Sequence, residues 1–498
     1  MNLMRNIKLN MLICTLAMFS ATSIHANSDI EKIISSAELD AGASPSIHAS
    51  QLTHYLEQNG YILTVVKAEE DGTLVVDLGS ISKVTVNGLK DLTKKHVINI
   101  LQKFLNETPT EKSLDRALSI INSLPGVNGT FAISKIDDVS YELLFSGIQV
   151  NQFGGISIDN PVGEIGEEYR YNIFQNFNSL LTGGDSLHLQ GVFLNGKDIK
   201  DQTSLILNYQ FPLGSDGAYM ETGAFDFRTK SEVHGRSSSY TTGFGTVIVP
   251  GSVTSNDFEG QSYYLTSGYP LIKAHDESLY IIGQVDYASD KTDDIGESKV
   301  LQGDIGVFYT KQYKDGRSLD IGGYVGIGNS DSYVQNEDNS YTSATLVGAS
   351  ILPLNSLHDL TELRIEALAK IADEHLPNSK LFSLGDEDFL RGYSSGTVLG
   401  NVGAVATVEI KHAIYTQSFV RRVAPYLFLD AGFVNNSSSK ANTTNRPTNH
   451  ELASFGLGAD FNLKNSISIN SFVGIPLMED TFNNTPNPSV YIKLNWSW

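Results

Sequence analysis

The sequence predicts a small α+β region followed by a transmembrane antiparallel β-barrel of about sixteen strands. Three observations point there. Helical spacing is confined to roughly the first 146 residues; beyond them, apolar residues alternate with charged and polar ones for about 350 residues. The chain also opens with a segment laid out for export. The expected organisation is a leader at 1–26, an N-terminal helix with a reduced α/β region at 27–80, a complete small domain at 81–146 and the barrel at 147–498.

The leader is "MNLMRNIKLNMLICTLAMFSATSIHA", with Arg5 and Lys8, then the apolar run Met11 to Phe19, then small residues that place cleavage near Ala26. That run is too short to cross a bilayer. Cys14, the one cysteine, lies inside it, and the bulky Ile13 before it argues against lipid attachment. The exported chain is therefore expected to have neither disulfides nor thiolate chemistry. Losing Arg5 and Lys8 takes the formal charge from −21 to about −23 (−21 − 2). So acidic a chain is not built to grip phosphate backbones, which excludes nucleic acid as a partner. No later stretch holds 18 consecutive apolar residues, so any crossing of a membrane has to be made by strands.

In 27–80, Ile30, Ile33, Ile34 and Ala37 fall at helical spacing, as do Leu52, Tyr55 and Leu56 before Gly60. "YILTVVKAEEDGTLVVDL" then reads as a hairpin turning at Asp71-Gly72. Residues 81–146 give the order β-α-α-β-β. "SKVTVNG" is a strand, and Val97, Ile100, Leu101 and Phe104 share one face of a first helix. Leu114, Leu118 and Ile121 align on a second helix, stopped at Pro125-Gly126, and "TFAISKI" and "VSYELLF" are the closing strands. Two helices on one face of three strands make a sensible core.

Period-two alternation then takes over. Leu279, Ile281, Gly283, Val285 and Tyr287 alternate with Gln284 and Asp286, and Leu319, Ile321, Val325 and Ile327 with Asp320 and Tyr324. Residues 362–371 are rich in helix formers, yet Leu363, Ile365, Ala367, Ala369 and Ile371 alternate with Glu362, Arg364, Glu366 and Lys370. A helix would put charge and leucine on every face, so the strand reading wins. The chain ends "VYIKLNWSW", with Val490, Ile492, Leu494, Trp496 and Trp498 on one face; Trp496 and Trp498 are taken as the terminal-strand signal. Aromatic residues are expected near strand ends, at Tyr263, Tyr264, Tyr269, Tyr309 and Trp498.

Together these features resemble the TpsB transporters of two-partner secretion, of the FhaC and ShlB type, in the superfamily that includes the barrel-assembly protein BamA. Residues 81–146 look like a polypeptide-transport-associated (POTRA) domain, and residues 52–78 like the later part of a preceding one. "YQFPLG" and "SGYPLI" resemble the family's strand-end Pro-Leu pairs. "LFSLGDEDFLRGY" resembles its sixth extracellular loop, which folds back into the barrel and carries Val-Arg-Gly-Tyr or Phe; Leu390 stands here in place of the valine. "FLDAGF" matches the F-x-D-x-G strand motif at Phe428, Asp430 and Gly432. Alternation sends Leu427, Leu429, Ala431 and Phe433 outward, so Phe428 and Asp430 face the lumen. An inward carboxylate and an arginine on an entering loop each need a partner, and a guanidinium can meet a carboxylate through two parallel bonds. A lock of Arg391, Gly392 and Tyr393 against Asp430, Phe428 and Gly432 is the expected site. Family members often carry a pore-plugging N-terminal helix; residues 28–41 are either a short plug of that kind or, the favoured reading, the first helix of a reduced POTRA domain.

The resemblance implies recognition of an unfolded, secreted TpsA-like exoprotein, encoded nearby, in the periplasm. Strand addition would occur at 130–136 and beside helix 110–123, with Phe131, Ile133, Leu114 and Leu118 as contacts. Outer-membrane lipids and the cell's barrel-assembly machinery are the other expected partners. The alternative is a BamA- or TamA-like assembly factor, which shares these motifs. No cofactor is expected: there is no G-x-x-x-x-G-K-[ST] nucleotide loop, and the 11 histidines form no H-E-x-x-H or comparable metal spacing. Gly392-Tyr393-Ser394-Ser395-Gly396 also fits the G-x-S-x-G elbow of serine hydrolases. An elbow needs a helix next, then an acid and a histidine in order. "TVLGNVGAVATVEI" starts no helix, His412 falls on an expected barrel strand and His450 in a polar loop, so no enzyme is expected. Asp386, Glu387 and Asp388 read as acids of a solvated loop, and 435–450 as a polar extracellular loop.

Overall fold

The structure is a computed structural model. It describes residues 33, 34, 36, 37, 44–161, 168–196, 199–231, 238–242, 245–249, 257–292, 296–332, 337–354, 360–373, 376–377, 380–394, 396–435, 449–479 and 486–498. The leader with Cys14, most of the 28–41 helix, Ser395 and most of the polar loop 435–450 lie outside the described residues. Two compact units are found: residues 1–84 with 104–114 and 133–143, and residues 85–103 with 115–132 and 144–498.

In the first unit, helix α1 (Pro45–Gln58) begins with a proline, whose missing N–H costs nothing in a first turn. Strands β1 (Thr64–Ala68) and β2 (Leu74–Leu78) pair antiparallel. Their connection turns at Asp71-Gly72, where Gly72 has φ +86° and the Asp71 carboxylate accepts the Thr73 N–H at 2.9 Å. Ala49, Leu52, Leu56, Tyr61 and Val66 form the core, and Ile33, Ile34 and Ala37 pack against it.

Strand β3 (Ser80–Asn87), helices α2 (Asp91–Leu101) and α3 (Glu111–Asn122), and strands β4 (Val127–Lys135) and β5 (Ser140–Gln149) follow in the β-α-α-β-β order. The sheet order is β3-β5-β4, which leaves β4 at an edge. Val97, Ile100, Leu101, Ala117, Ile120, Ile121 and Phe145 are buried in the second unit; Ile81, Phe104, Leu114 and Leu143 are buried in the first. Leu114 corrects the sequence reading. It is 6% exposed and has no surface to offer a partner. The helical spacing that singled it out marks a core stripe as readily as a binding stripe. Leu118, Phe131 and Ile133 are half-buried.

The remaining strands close a sixteen-stranded antiparallel barrel. In chain order they are β6 (Gln152–Asp159), β7 (Glu168–Asn178), β8 (Ser186–Gly196), β9 (Ile199–Leu213) and β10 (Ala218–Ser231). A hairpin of β11 (Ser238–Thr242) and β12 (Gly245–Val249) stands outside the barrel sheet. Next come β13 (Asp257–Lys273), β14 (Glu277–Thr292), β15 (Gly296–Gln312), β16 (Ser318–Ser332), β17 (Glu337–Pro353) and β18 (Thr361–Ala372). The short pair β19 (Phe382–Leu384) and β20 (Val398–Gly400) belongs to the loop that follows β18. Then come β21 (Val402–His412) with its continuation β22 (Ile414–Tyr415), β23 (Val420–Asn435), β24 (Asn449–Leu463), β25 (Ile467–Pro476) and β26 (Ser489–Ser497). The last strand pairs with the first, from Lys493↔Asp159 to Ser497↔Gly155.

Alternation determines the faces. Leu205, Ile305, Val325, Leu427, Leu429 and Ile492 stand exposed on the outer surface, and Glu221, Asp286, Gln302, Thr407, Glu409 and Asp430 are buried on the inner one. A closed sheet with an apolar outside and a polar inside satisfies every requirement of a bilayer-spanning protein without a helix. Trp496 and Trp498 point outward with ring centroids 5.2 Å apart, at the end of the barrel where Gly154 and Trp498 exchange backbone hydrogen bonds. Tyr264 differs from expectation. It lies in the middle of β13 and turns inward, its hydroxyl donating to Glu221 at 2.5 Å, because its position in the alternation outweighs the preference of tyrosine for interfaces.

Candidate functional site: a loop anchored inside the barrel

The site is assembled from adjacent rows of inward residues. Register aligns Thr407 on β21 with Asp430 on β23 and Ser454 on β24. The next row is Glu409, Phe428, Gly456, Gly474 and Ser489, and the one after is Lys411, Tyr426, Gly458, Phe472 and Tyr491. Aromatic rings fill the space above the glycines: a Cβ on Gly456 would lie 2.4 Å from the Phe428 ring, and one on Gly458 2.3 Å from that of Tyr426.

Onto this wall folds the loop between β18 and β21. The Asp386 carboxylate accepts the N–H groups of Asp388 (2.8 Å) and Phe389 (2.5 Å), closing a tight turn. Leu390 has φ +59°, a left-handed conformation that a branched side chain adopts only when its surroundings compel it. Here they do, since its side chain is wholly buried with Phe382, Leu384, Tyr393 and Val398 against Val405, Val434 and Leu452 of the barrel. The turn carries Arg391 to the wall.

Arg391 uses its whole fork. Nη2 donates to Asp430 Oδ1 (3.0 Å) and Thr407 Oγ1 (2.8 Å), Nε to Asp430 Oδ2 (3.2 Å), and Nη1 to Glu409 Oε2 (2.8 Å). Its backbone N–H adds a bond to Asp430 Oδ2 at 2.9 Å. The guanidinium lies over the Phe428 ring, 3.6 Å from its centroid, a cation–π contact. Asp430 is fully buried and also accepts from Thr407 Oγ1 (2.5 Å). The charges continue from Glu409 to Lys411 (2.9 Å) and from Lys411 to Asp460 (3.0 Å). A buried cation between two carboxylates, each held by further donors, is the arrangement in which desolvation is best offset.

The other expected residues gather at the same place. The Tyr393 hydroxyl lies 2.9 Å from the Ala453 carbonyl and accepts the Met478 N–H at 3.0 Å. The Gly392 carbonyl accepts from Ser489 Oγ at 3.1 Å. Gly432 leaves room for the loop, since a Cβ there would lie 3.0 Å from Leu384. The sequence reading missed Thr407, Glu409 and Lys411, although their i, i+2 spacing on β21 was a usable signal. It also missed Gly474, where an added Cβ would sit 1.6 Å from the Arg391 carbonyl oxygen. No local pattern distinguishes that glycine from other strand glycines.

The reading of the loop acids needs correcting at Glu387. Glu387 and Asp388 line a polar cavity of about 800 Å³ that also takes in Arg170, Asn208, Arg391 and Lys493; Glu387 is largely shielded there, whereas Asp388 is exposed. A second cavity of about 880 Å³, with Tyr280, Phe308, Tyr324 and Lys370 on its wall, lies against Phe382 and Phe389 of the same loop. On that side Lys380 donates to Asp286, and Lys370 to the Lys380 carbonyl at 2.7 Å. The loop thus borders both a polar chamber and an aromatic one. Residues 396–400 after Ser394 run into strand β20, not a helix, which is not the setting of a nucleophile elbow. Among the described residues no cluster of His, Cys, Asp and Glu has the arrangement of a metal site.

Comparison with known proteins gives one family. Residues 286–461 match the family described as haemolysin secretion/activation protein ShlB/FhaC/HecB. Among curated proteins no sequence match to the chain is found. The fold is similar to CdiB from Escherichia coli, with TM-score 0.75 and 15% identity over 96% of this chain and 89% of that one. It is also similar to CdiB from Acinetobacter baumannii, with TM-score 0.70 and 16% identity over 96% and 88%. BamA from Haemophilus ducreyi lacking POTRA domains 1–3 aligns with TM-score 0.54 and 16% identity over 97% and 99%. The chain therefore has the fold of an outer-membrane β-barrel, and residues 286–461 of it match the ShlB/FhaC/HecB family.

Proposed function

We propose that this translocator binds an unfolded exoprotein in the periplasm and secretes it through its barrel, with the Arg391 loop as the part that must shift. The observation that carries the reading is the loop itself. It lies inside the lumen between two chambers, and the partners of its Arg391 side chain are all on the barrel wall. Such an ionic anchor is strong while dehydrated and weakens once water or a passing chain reaches it. Residues 81–146 are read as a POTRA domain and 27–80 as a reduced one. The packing of Ile33, Ile34 and Ala37 on the α1 core favours that assignment over a pore plug. Edge strand β4, with half-buried Phe131 and Ile133, is where a partner strand would add, since backbone pairing makes few demands on sequence.

The test is to co-express the chain with the large secreted protein encoded beside it and to assay the medium. The partner is expected in the medium only when the chain is present. Release unchanged in its absence, together with defects in the assembly of other barrels, would replace this reading with that of an assembly factor.

A further inference from the structure

We infer that Arg170 and Glu387 form a second anchor, tying the loop to the seam where the first and last barrel strands meet. This rests on the reading of the loop as the part that moves. Arg170 on β7 grips Asp159, the last residue of β6, through two parallel bonds: Nε to Oδ1 at 2.9 Å and Nη2 to Oδ2 at 2.8 Å. Its Nη2 also donates to Glu387 Oε1 at 2.5 Å. From the other side of the seam, Tyr491 on β26 donates its hydroxyl to Asp159 Oδ2 at 3.0 Å. One arginine therefore links the loop, the first two strands and the last. Its side chain is 16% exposed, those of Asp159 and Glu387 2% and 19%, so all three are largely shielded from water.

The seam needs reinforcement at this point. The paired register of β26 with β6 ends at Lys493↔Asp159, beyond which one backbone bond, Asn160 N–H to the Ile492 carbonyl (3.3 Å), remains. The Asn160 side chain extends the ladder, donating Nδ2–H to the Val490 carbonyl (2.6 Å) and accepting the Ile492 N–H at Oδ1 (2.8 Å). A side-chain amide can stand in for a peptide group because it offers the same donor and acceptor. The loop reaches across this place from both directions. The Gly392 carbonyl is held by Ser489 at the start of β26, and Glu387 is held by Arg170 on β7. The loop is thus a strap over the seam with an ionic clasp at each end, Arg391 at one and Glu387 at the other. Release of Arg391 alone leaves the strap fastened, and full displacement requires both clasps to open.

Glu387→Gln separates the two, because it removes the carboxylate from the loop and leaves Arg170 paired with Asp159. Asp388→Asn makes the same change of charge one residue away and is the control. With purified protein in planar lipid bilayers, Glu387→Gln is expected to raise the fraction of time the pore conducts by about tenfold, the population change that loss of one charge-assisted contact brings. Asp388→Asn should raise it clearly less than Glu387→Gln, and Glu387→Asp should fall between wild type and Glu387→Gln. Heat-dependent gel migration shows that each barrel is folded. Wild-type currents from folded Glu387→Gln, or equal increases from Glu387→Gln and Asp388→Asn, would overturn the inference. If Arg391→Ala raises the current while Glu387→Gln does not, the second anchor alone is wrong. If neither does, the reading of the loop as the moving part fails with it.

Discussion

Arg391→Ala is expected to free the loop at its Arg391 end while the barrel stays closed. The substitution leaves Asp430 fully buried with Thr407 and Ser454 as its remaining side-chain donors, and leaves Glu409 facing it without the intervening cation. Breaking a buried pair by removing one partner costs on the order of 3–5 kcal/mol, and the cheapest way to relieve it is to let water in by moving the loop. The sixteen-stranded ladder does not depend on this pair, so folded protein should still be recovered from the outer membrane. Bilayer recordings should show resting current well above wild type, and partner in the medium should fall by about tenfold or more, as expected for an anchor of that strength. Arg391→Lys should behave like the alanine variant, because an ammonium cannot reach Thr407, Glu409 and both Asp430 oxygens at once. Normal export by both Arg391→Ala and Asp430→Ala would end the lock reading.

Gly474→Ala should produce the same loss through shape alone. Its added methyl would fall 1.6 Å from the Arg391 carbonyl oxygen and 2.9 Å from the Gly392 nitrogen, so the loop backbone must leave the wall. Every charge of the anchor is still present, yet the guanidinium fork can no longer meet its partners at their present distances. Overpacking of this kind costs about 1–3 kcal/mol where the surroundings can yield, and more where they cannot. Gly283→Ala is the control, because nothing lies within 4 Å of a Cβ there, and it should export as wild type does. Undiminished export by Gly474→Ala, measured as partner in the medium, would mean that the loop backbone does not have to rest on β25 for function.

The two predictions differ in how much of them the sequence shows. Strands follow a period of two, and the faces of 426–433 could be read without a structure: Leu427 and Leu429 outside, Phe428 and Asp430 inside. The ionic lock needed one further step, the resemblance of 381–393 to a loop that folds inward. Gly474, Arg170 and Ser489 could not be found that way. Each owes its role to residues distant in the chain that meet only when β26 closes on β6 and the loop lies down between them. Leu114 shows the opposite failure, since a correct stripe was assigned to the surface although Leu114 on it is buried. The reading of Glu387 failed for a similar reason. Polarity suggested solvent, but a barrel lumen is a polar interior.

The central claim is that a polypeptide passes through the lumen. It is tested most directly by placing a photocrosslinking residue at Tyr324, on the wall of the aromatic chamber, or at the adjacent Val325, exposed on the outer face, during export of a partner stalled by a folded C-terminal domain. Export through the lumen predicts crosslinks to the partner from position 324 and none from 325. Crosslinks from 325 but not 324 would contradict it, placing the substrate against the outside of the barrel.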